Sequence, residues 1–198
     1  MSESAPQINV SVYQKPKKGN YFCGDSYFYK ETDTTFTCAL ADGLGSGQLA
    51  MESSQAVMDT IEQNPKLDLE PLIKKCNDAL SGKRGVVLGL LQVDLVNRTY
   101  SYSSIGNIGI IMVSDQGKKK RIIPLAGYLA GRPRKFRVIR GEIESGMMFL
   151  LFSDGVDDRQ LSSERVSMRD VDLVTRRYDE MNEINHNDDT TLIAMQIV

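Results

Sequence analysis

The chain encodes an α+β protein, a β-sandwich flanked by helices. Three observations point there. Ten short runs carry strand-like hydrophobicity, several of them alternating apolar and polar residues. Three longer segments repeat apolar residues at spacings of three and four, the stripe of a helix lying on a sheet. Their order is strands, two helices, a long run of strands, a late helix and a final strand, which suits helices packed outside sheets. The 198 residues form a single domain, 1–198, long enough to bury roughly 70% of its unfolded surface.

The first strands fall at residues 8–14, 26–30 and 35–41. A helix follows at 46–62, with Leu49, Ser53, Ala56, Val57 and Ile61 on one stripe. A second helix covers 69–80 through Leu72, Ile73, Cys76 and Leu80, and Gly82 stops it. Strands then occupy 86–96, 99–105, 108–113, 120–124, 136–143 and 147–152. The run from Thr99 to Ile105 shows the two-residue alternation most clearly. Asn97-Arg98, Gly106-Asn107 and Glu144-Ser145-Gly146 are turn signals and read as hairpin links between neighbours. The third helix spans 163–181 with Val166, Val171, Val174 and Tyr178 inward, and the last strand spans 190–198.

Composition narrows the chemistry. Hydrophobic residues at 41% and charged residues at 25% describe a globular protein. The longest apolar run, 147–152, is far short of the ~18 residues of a membrane span, and residues 1–6 carry no secretion signal. A cytoplasmic monomer is expected. Three cysteines without a C-x-x-C pair and a single histidine, His186, argue against a disulfide framework, a thiolate zinc site and histidine-based catalysis. Catalysis must rest on carboxylates, hydroxyls, Lys/Arg or a metal. The net charge of −2 hides a basic stretch from Lys118 to Arg140 that contains no acid and includes Arg134, Lys135 and Arg137. It reads as a solvated face or as a docking surface for an acidic or phosphorylated partner. Nucleic acid is disfavoured because no aromatic ladder interleaves the charges.

Four aspartates share a setting, each at the junction of an apolar strand and a loop. Asp42 and Asp154 each end such a strand and precede a glycine, Asp25 opens one, and Asp188 stands two residues before the last. Any one Asp-Gly reads as a plain turn. Strands buried in one sheet system bring their ends together, and several carboxylates at close range raise one another's pKa unless cations sit among them. Mg²⁺ or Mn²⁺ suits carboxylate oxygens, backbone carbonyls and water. Gly43-Leu44-Gly45-Ser46-Gly47 is neither a dinucleotide fingerprint nor a P-loop, and reads as a strand-to-helix turn that lets backbone approach a metal or phosphate. Asp170-Val171-Asp172-Leu173-Val174-Thr175 mimics a phosphotransferase nucleophile motif but lies in a charged helical stretch.

In order, Gly24-Asp25-Ser26, Ala41-Asp42-Gly43-Leu44-Gly45-Ser46-Gly47, Ser104-Ile105-Gly106-Asn107, Ser153-Asp154-Gly155 and Asp188-Asp189-Thr190-Thr191 resemble the motifs of the PPM-type metal-dependent serine/threonine protein phosphatases. Ser53-Ser54 and the stretch from Gly127 to Pro133 resemble a short bacterial stress-response branch of that family. The resemblance implies a four-layer αββα sandwich of two antiparallel β-sheets flanked by helices, with two Mn²⁺ or Mg²⁺ ions at one edge. It implies that Asp42 bridges both ions and the Gly43 carbonyl holds one. Asp154 and Asp188 hold the other, and Asp25 acts on the Gly43 side through water. Asp42 and Asp154 are the catalytic pair, and the two cations ready a water for attack on phosphorus. The implied substrates are phosphoserine and phosphothreonine on STAS-domain stressosome scaffold proteins, in negative feedback on a general-stress sigma factor. Larger members grip the phosphate with an arginine ahead of the first aspartate, where this chain offers Lys17 or Lys18. Asp189 reads as a residue behind the ligands, a ligand of a third metal, or a plain capping or turn acid, and His186 as a loop residue. The flap of many relatives has little room, which moves substrate choice to the basic stretch. Two other readings compete: a non-catalytic phosphoprotein-binding module on the same fold, and an α+β domain whose Asp-Gly pairs are only turns.

Overall fold

The computed structural model describes residues 6–162, 170–182 and 187–198. The start of the third predicted helix, with Val166, and His186 lie outside the described residues. Two five-stranded antiparallel sheets stack face to face. One contains β2 (Asp25–Glu31), β3 (Thr35–Gly43), β4 (Val86–Asp94), β5 (Thr99–Ile105) and β8 (Ile139–Glu142), in the order β2-β3-β4-β5-β8. The other contains β1 (Ile8–Lys15), β6 (Gly109–Val113), β7 (Lys119–Ile122), β9 (Met148–Phe152) and β10 (Thr190–Ile197), in the order β1-β10-β9-β6-β7.

Three apolar clusters define the four layers. Phe36, Leu91 and Tyr102 of one sheet meet Phe149, Ile193 and Met195 of the other between the sheets. Helices α1 (Gln48–Gln63) and α2 (Leu69–Ala79) cover the outer face of the first sheet through Val57, Ile61, Leu72 and Ile73. Helices α3 (Asp158–Ser162) and α4 (Val171–Met181) cover the second through Leu161, Val174 and Tyr178. Asp170 caps α4, its Oδ1 accepting from the Asp172 and Leu173 amides, so the apparent nucleophile motif is a helix start. No helix among the described residues is long and apolar enough to cross a membrane.

Four expectations need correction. The buried stripe of α1 is Ala50, Ser53, Ser54, Val57, Met58 and Ile61, while Leu49 is 53% exposed. Small Ala50 lets the helix lie so close to β3 that a Cβ on Gly43 would overlap the Ala50 carbonyl. Gly106-Asn107 and Glu144-Ser145-Gly146 are not hairpins, because β5 and β6, and β8 and β9, belong to different sheets. A turn signal marks a change of direction and does not say which strand the chain then pairs with. β8 is shorter than expected: residues 136–138 make no ladder, and Phe136 and Val138 instead pack against the α1–α2 cluster. α3 carried no sequence signal.

Candidate metal centre

Antiparallel register places the acids together. Asp25 of β2 stands opposite Asp42 of β3, which on its other side stands opposite Val87 of β4. Like charges directly opposite on neighbouring strands destabilise a sheet, so this pair needs compensation. The second sheet delivers its acids to the same edge. The Ser153 amide donates to the Thr191 carbonyl at 3.0 Å, and the Thr191 amide to Ser153 Oγ at 2.9 Å. Asp154 and Asp188 follow and precede this clamp. Thr191 Oγ1 then donates to Asp25 Oδ2 at 2.6 Å, joining the two sheets at the acids.

Glycines permit the approach. A Cβ on Gly24 would stand 2.9 Å from Asp189 Oδ2, and one on Gly155 would overlap the Asp189 carbonyl. Asp189 is buried and accepts the Gly24 amide and the Lys17 amide, each at 2.8 Å. It ties both ends of the single loop between β1 and β2 to the site. Asn107 Nδ2 donates to Asp154 Oδ2 at 2.6 Å and orients it. Asn107 entered the sequence reading only as part of a motif and a turn, and its amide is the one feature that marks it.

Burial and mutual repulsion disfavour the charged forms. Asp42 is pushed up to about 8, first by burial and then by Asp25, Asp154, Asp188 and Asp189. Burial lifts Asp25 to about 6 against the opposing hydroxyls of Thr191 and Ser153, with Asp189 and Asp154 adding to the rise. Asp154 is also raised, by burial and Asp188, with the Asn107 amide opposing. Asp25 Oδ1 is buried and has no hydrogen-bond partner among the described residues. An orphaned carboxylate oxygen beside several mutually repelling acids, in an all-oxygen donor set, fits a hard divalent cation. Among the described residues no three His, Cys, Asp or Glu side chains already enclose one point. Mg²⁺ is content with one or two carboxylates, and waters complete its shell.

The remaining predicted residues divide. Gly43 is buried at the end of β3 and donates its amide to the Gly24 carbonyl at 3.1 Å. Lys17 and Lys18 are exposed, and Lys17 reaches the site through its backbone amide. Arg134 and Arg137 donate to the Ala126 and Ile123 carbonyls, both at 2.7 Å, and so brace their own loop, while Lys135 is exposed. Sequence reasoning missed Arg84. Its guanidinium lies on Gly45, three residues beyond Asp42, where a Cβ would overlap it.

Two stacked antiparallel sheets with carboxylates gathered at one edge and helices outside define a PP2C-type domain. The model of the family described as stage II sporulation protein E (SpoIIE) matches residues 32–198. The chain belongs to the SpoIIE family. It is 35% identical to phosphoserine phosphatase RsbX of Bacillus subtilis over 195 residues, 98% of each chain. A crystal structure of RsbX in complex with magnesium superposes with a TM-score of 0.88, at 35% identity, covering 100% of this chain and 98% of that one. The catalytic domain of PstP, the Mycobacterium tuberculosis serine/threonine phosphatase, with two manganese ions, gives a TM-score of 0.76 at 17% identity over 96% of this chain and 98% of that one. The PstP likeness shows the fold alone.

Proposed function

We propose that the chain is a metal-dependent phosphoserine and phosphothreonine protein phosphatase. The observation that carries this is the Asp25–Asp42 pair, opposite in register and both raised, with one carboxylate oxygen unpartnered. Two Mn²⁺ or Mg²⁺ ions are the proposed cofactors, with Asp42 between them, the Gly43 carbonyl and Asp25 on one side, and Asp154 and Asp188 on the other. Such ions would lower the pKa of a water and neutralise charge gathering on the phosphoryl oxygens. The protein's own part is to hold the acids. Thr191 and Ser153 orient Asp25, Asn107 orients Asp154, and Asp189 fixes the surrounding loops. Asp42 and Asp154 are the catalytic residues.

The relation to RsbX and the shared motifs support phosphorylated STAS-domain stressosome scaffold proteins as substrates, in negative feedback on a general-stress sigma factor, by a cytoplasmic monomer. In this reading Lys17 and Lys18 are candidate phosphate contacts, Lys17 through a loop whose amide reaches Asp189, and Arg134, Lys135 and Arg137 are candidate docking residues. The test is hydrolysis of phosphoserine-bearing against phosphotyrosine-bearing protein with Mn²⁺, with and without chelator. Chelator-sensitive release of phosphate from phosphoserine is expected. Asp42→Asn and Asp154→Asn should abolish turnover of p-nitrophenyl phosphate in folded protein, and near-normal turnover in either refutes the assignment. Retained phosphoprotein binding without any turnover would favour the non-catalytic module.

A further inference from the structure

We infer that Arg84 grips the phosphoryl group of the substrate, an inference that rests on the phosphatase reading above. Arg84 lies in the loop between α2 and β4. Val86 stands opposite Gly43 and Val87 opposite Asp42, so this loop emerges at the same sheet edge as the acids. The guanidinium crosses Gly45, whose φ of +96° and missing Cβ leave room for it.

The base of the side chain is fixed from two directions. The Leu44 amide donates to the Gly85 carbonyl at 3.0 Å, tying the loop to the turn after Asp42. Val86 and Leu129 exchange two backbone bonds, of 2.9 and 2.8 Å. A Cβ on Gly85 would stand 2.5 Å from the Leu129 carbonyl, so the 127–133 segment presses directly on the residue after Arg84. An arginine held this firmly ordinarily serves an acid, yet among the described residues no carboxylate is paired with it.

The chemistry needs such a group. Five aspartates crowd this edge, and a phosphomonoester, which arrives as an anion, gains from a fixed cation held beside them. A guanidinium offers parallel N–H donors to two phosphoryl oxygens, which an ammonium cannot match. Lys17 and Lys18 are exposed, and the Lys17 link to the site is made by its backbone. Arg84 thus fills the place for which the sequence before the first acid supplies only lysine.

The test titrates inorganic phosphate into Mn²⁺-loaded protein by calorimetry and, in parallel, separates KM from kcat for p-nitrophenyl phosphate. Arg84→Ala should weaken phosphate binding and raise KM by roughly ten- to a hundredfold, the range for charged hydrogen bonds. Arg84→Lys should recover only part of this. Gly45→Ala, which pushes the guanidinium aside, should reproduce the weakened binding. Mn²⁺ affinity and the melting temperature without phosphate should match wild type in the Arg84 variants. Unchanged phosphate affinity in Arg84→Ala overturns the inference. So does tighter Mn²⁺ binding with phosphate affinity unchanged, which would make Arg84 a counter-ion of the acids. A wild type that turns over no phosphoester removes the phosphatase reading, and the phosphate titration still decides Arg84 by itself.

Discussion

Asp42 and Asp25 make the metal-free protein sensitive to base. In the unfolded chain both titrate near the ordinary 3.8, whereas in the folded chain Asp25 holds its proton to about 6 and Asp42 to about 8. Between those limits the folded state binds more protons than the unfolded one, so stability falls as pH rises. The contribution is complete below pH 4 and gone above about 8. With chelator present, the melting temperature should drop from pH 5 to pH 8.5. Asp42→Asn should flatten that slope and stabilise the metal-free protein by on the order of 1–2 kcal/mol at the alkaline end. A wild-type slope in the variant would show that Asp42 is not the group responsible. Saturating Mn²⁺ should remove the slope in wild type, because the cation replaces the proton. Gly43→Ala tests the close approach instead: its methyl would overlap the Ala50 carbonyl, and a loss of about 2–3 kcal/mol in urea unfolding is expected.

Strands that alternate or run apolar were readable to within two residues at each end, β8 excepted, and β5 emerges as Thr99–Ile105, the span its alternation marks. Partner choice was not readable. Gly106 turns the chain with φ +102°, and the turn sends it from β5 of one sheet to β6 of the other. Long-range packing across the sandwich decides that step, and four residues of turn sequence contain no trace of it. The α1 stripe failed for a related reason. Leu49 has the hydrophobicity to face inward, but Ala50 has the smallness that close contact with β3 demands, and the Ser54 hydroxyl meets that of Ser26 on β2 at 2.8 Å. The segment after β7 depends on a polar clamp that periodicity overlooks. Asn77 of α2 accepts the Ala130 and Gly131 amides at 3.2 and 3.1 Å and donates to the Arg132 carbonyl at 2.7 Å. Asn77→Ala should therefore cost about 2 kcal/mol and speed amide exchange at residues 130 and 131. Exchange unchanged there would mean that the two backbone bonds to Val86 alone hold the segment.

The acids of the candidate site were legible because each sits where an apolar strand meets a loop, and strand ends of a sandwich must meet somewhere. Arg84 was not, because only the fold brings its loop to Gly45. The basic stretch lies between these cases. Its charge was plain, but its arginines are partly spent. Arg134 and Arg137 hold carbonyls of their own loop, Arg121 pairs with Asp158, and Arg140 pairs with Glu70 at 2.9 Å. Lys135 is exposed, as are Tyr128 and Ile123 of the same segment. The same segment reaches the edge where the acids gather, since Leu125 bridges Ile105 and the Gly106 amide donates to the Leu125 carbonyl at 2.7 Å, next to Asn107. A phosphoprotein bound at the acids would thus lie against a cationic flank, and steering of this kind acts mainly on association and weakens with salt. Lys135→Glu should lower kcat/KM for a phosphoprotein severalfold at low ionic strength, with the deficit shrinking as salt is added. Turnover of p-nitrophenyl phosphate should not change, because that ester is too small to touch the flank. Arg134→Ala should behave differently and lower stability, since it removes a brace. Equal losses on both substrates in Lys135→Glu would place its effect at the site rather than in docking.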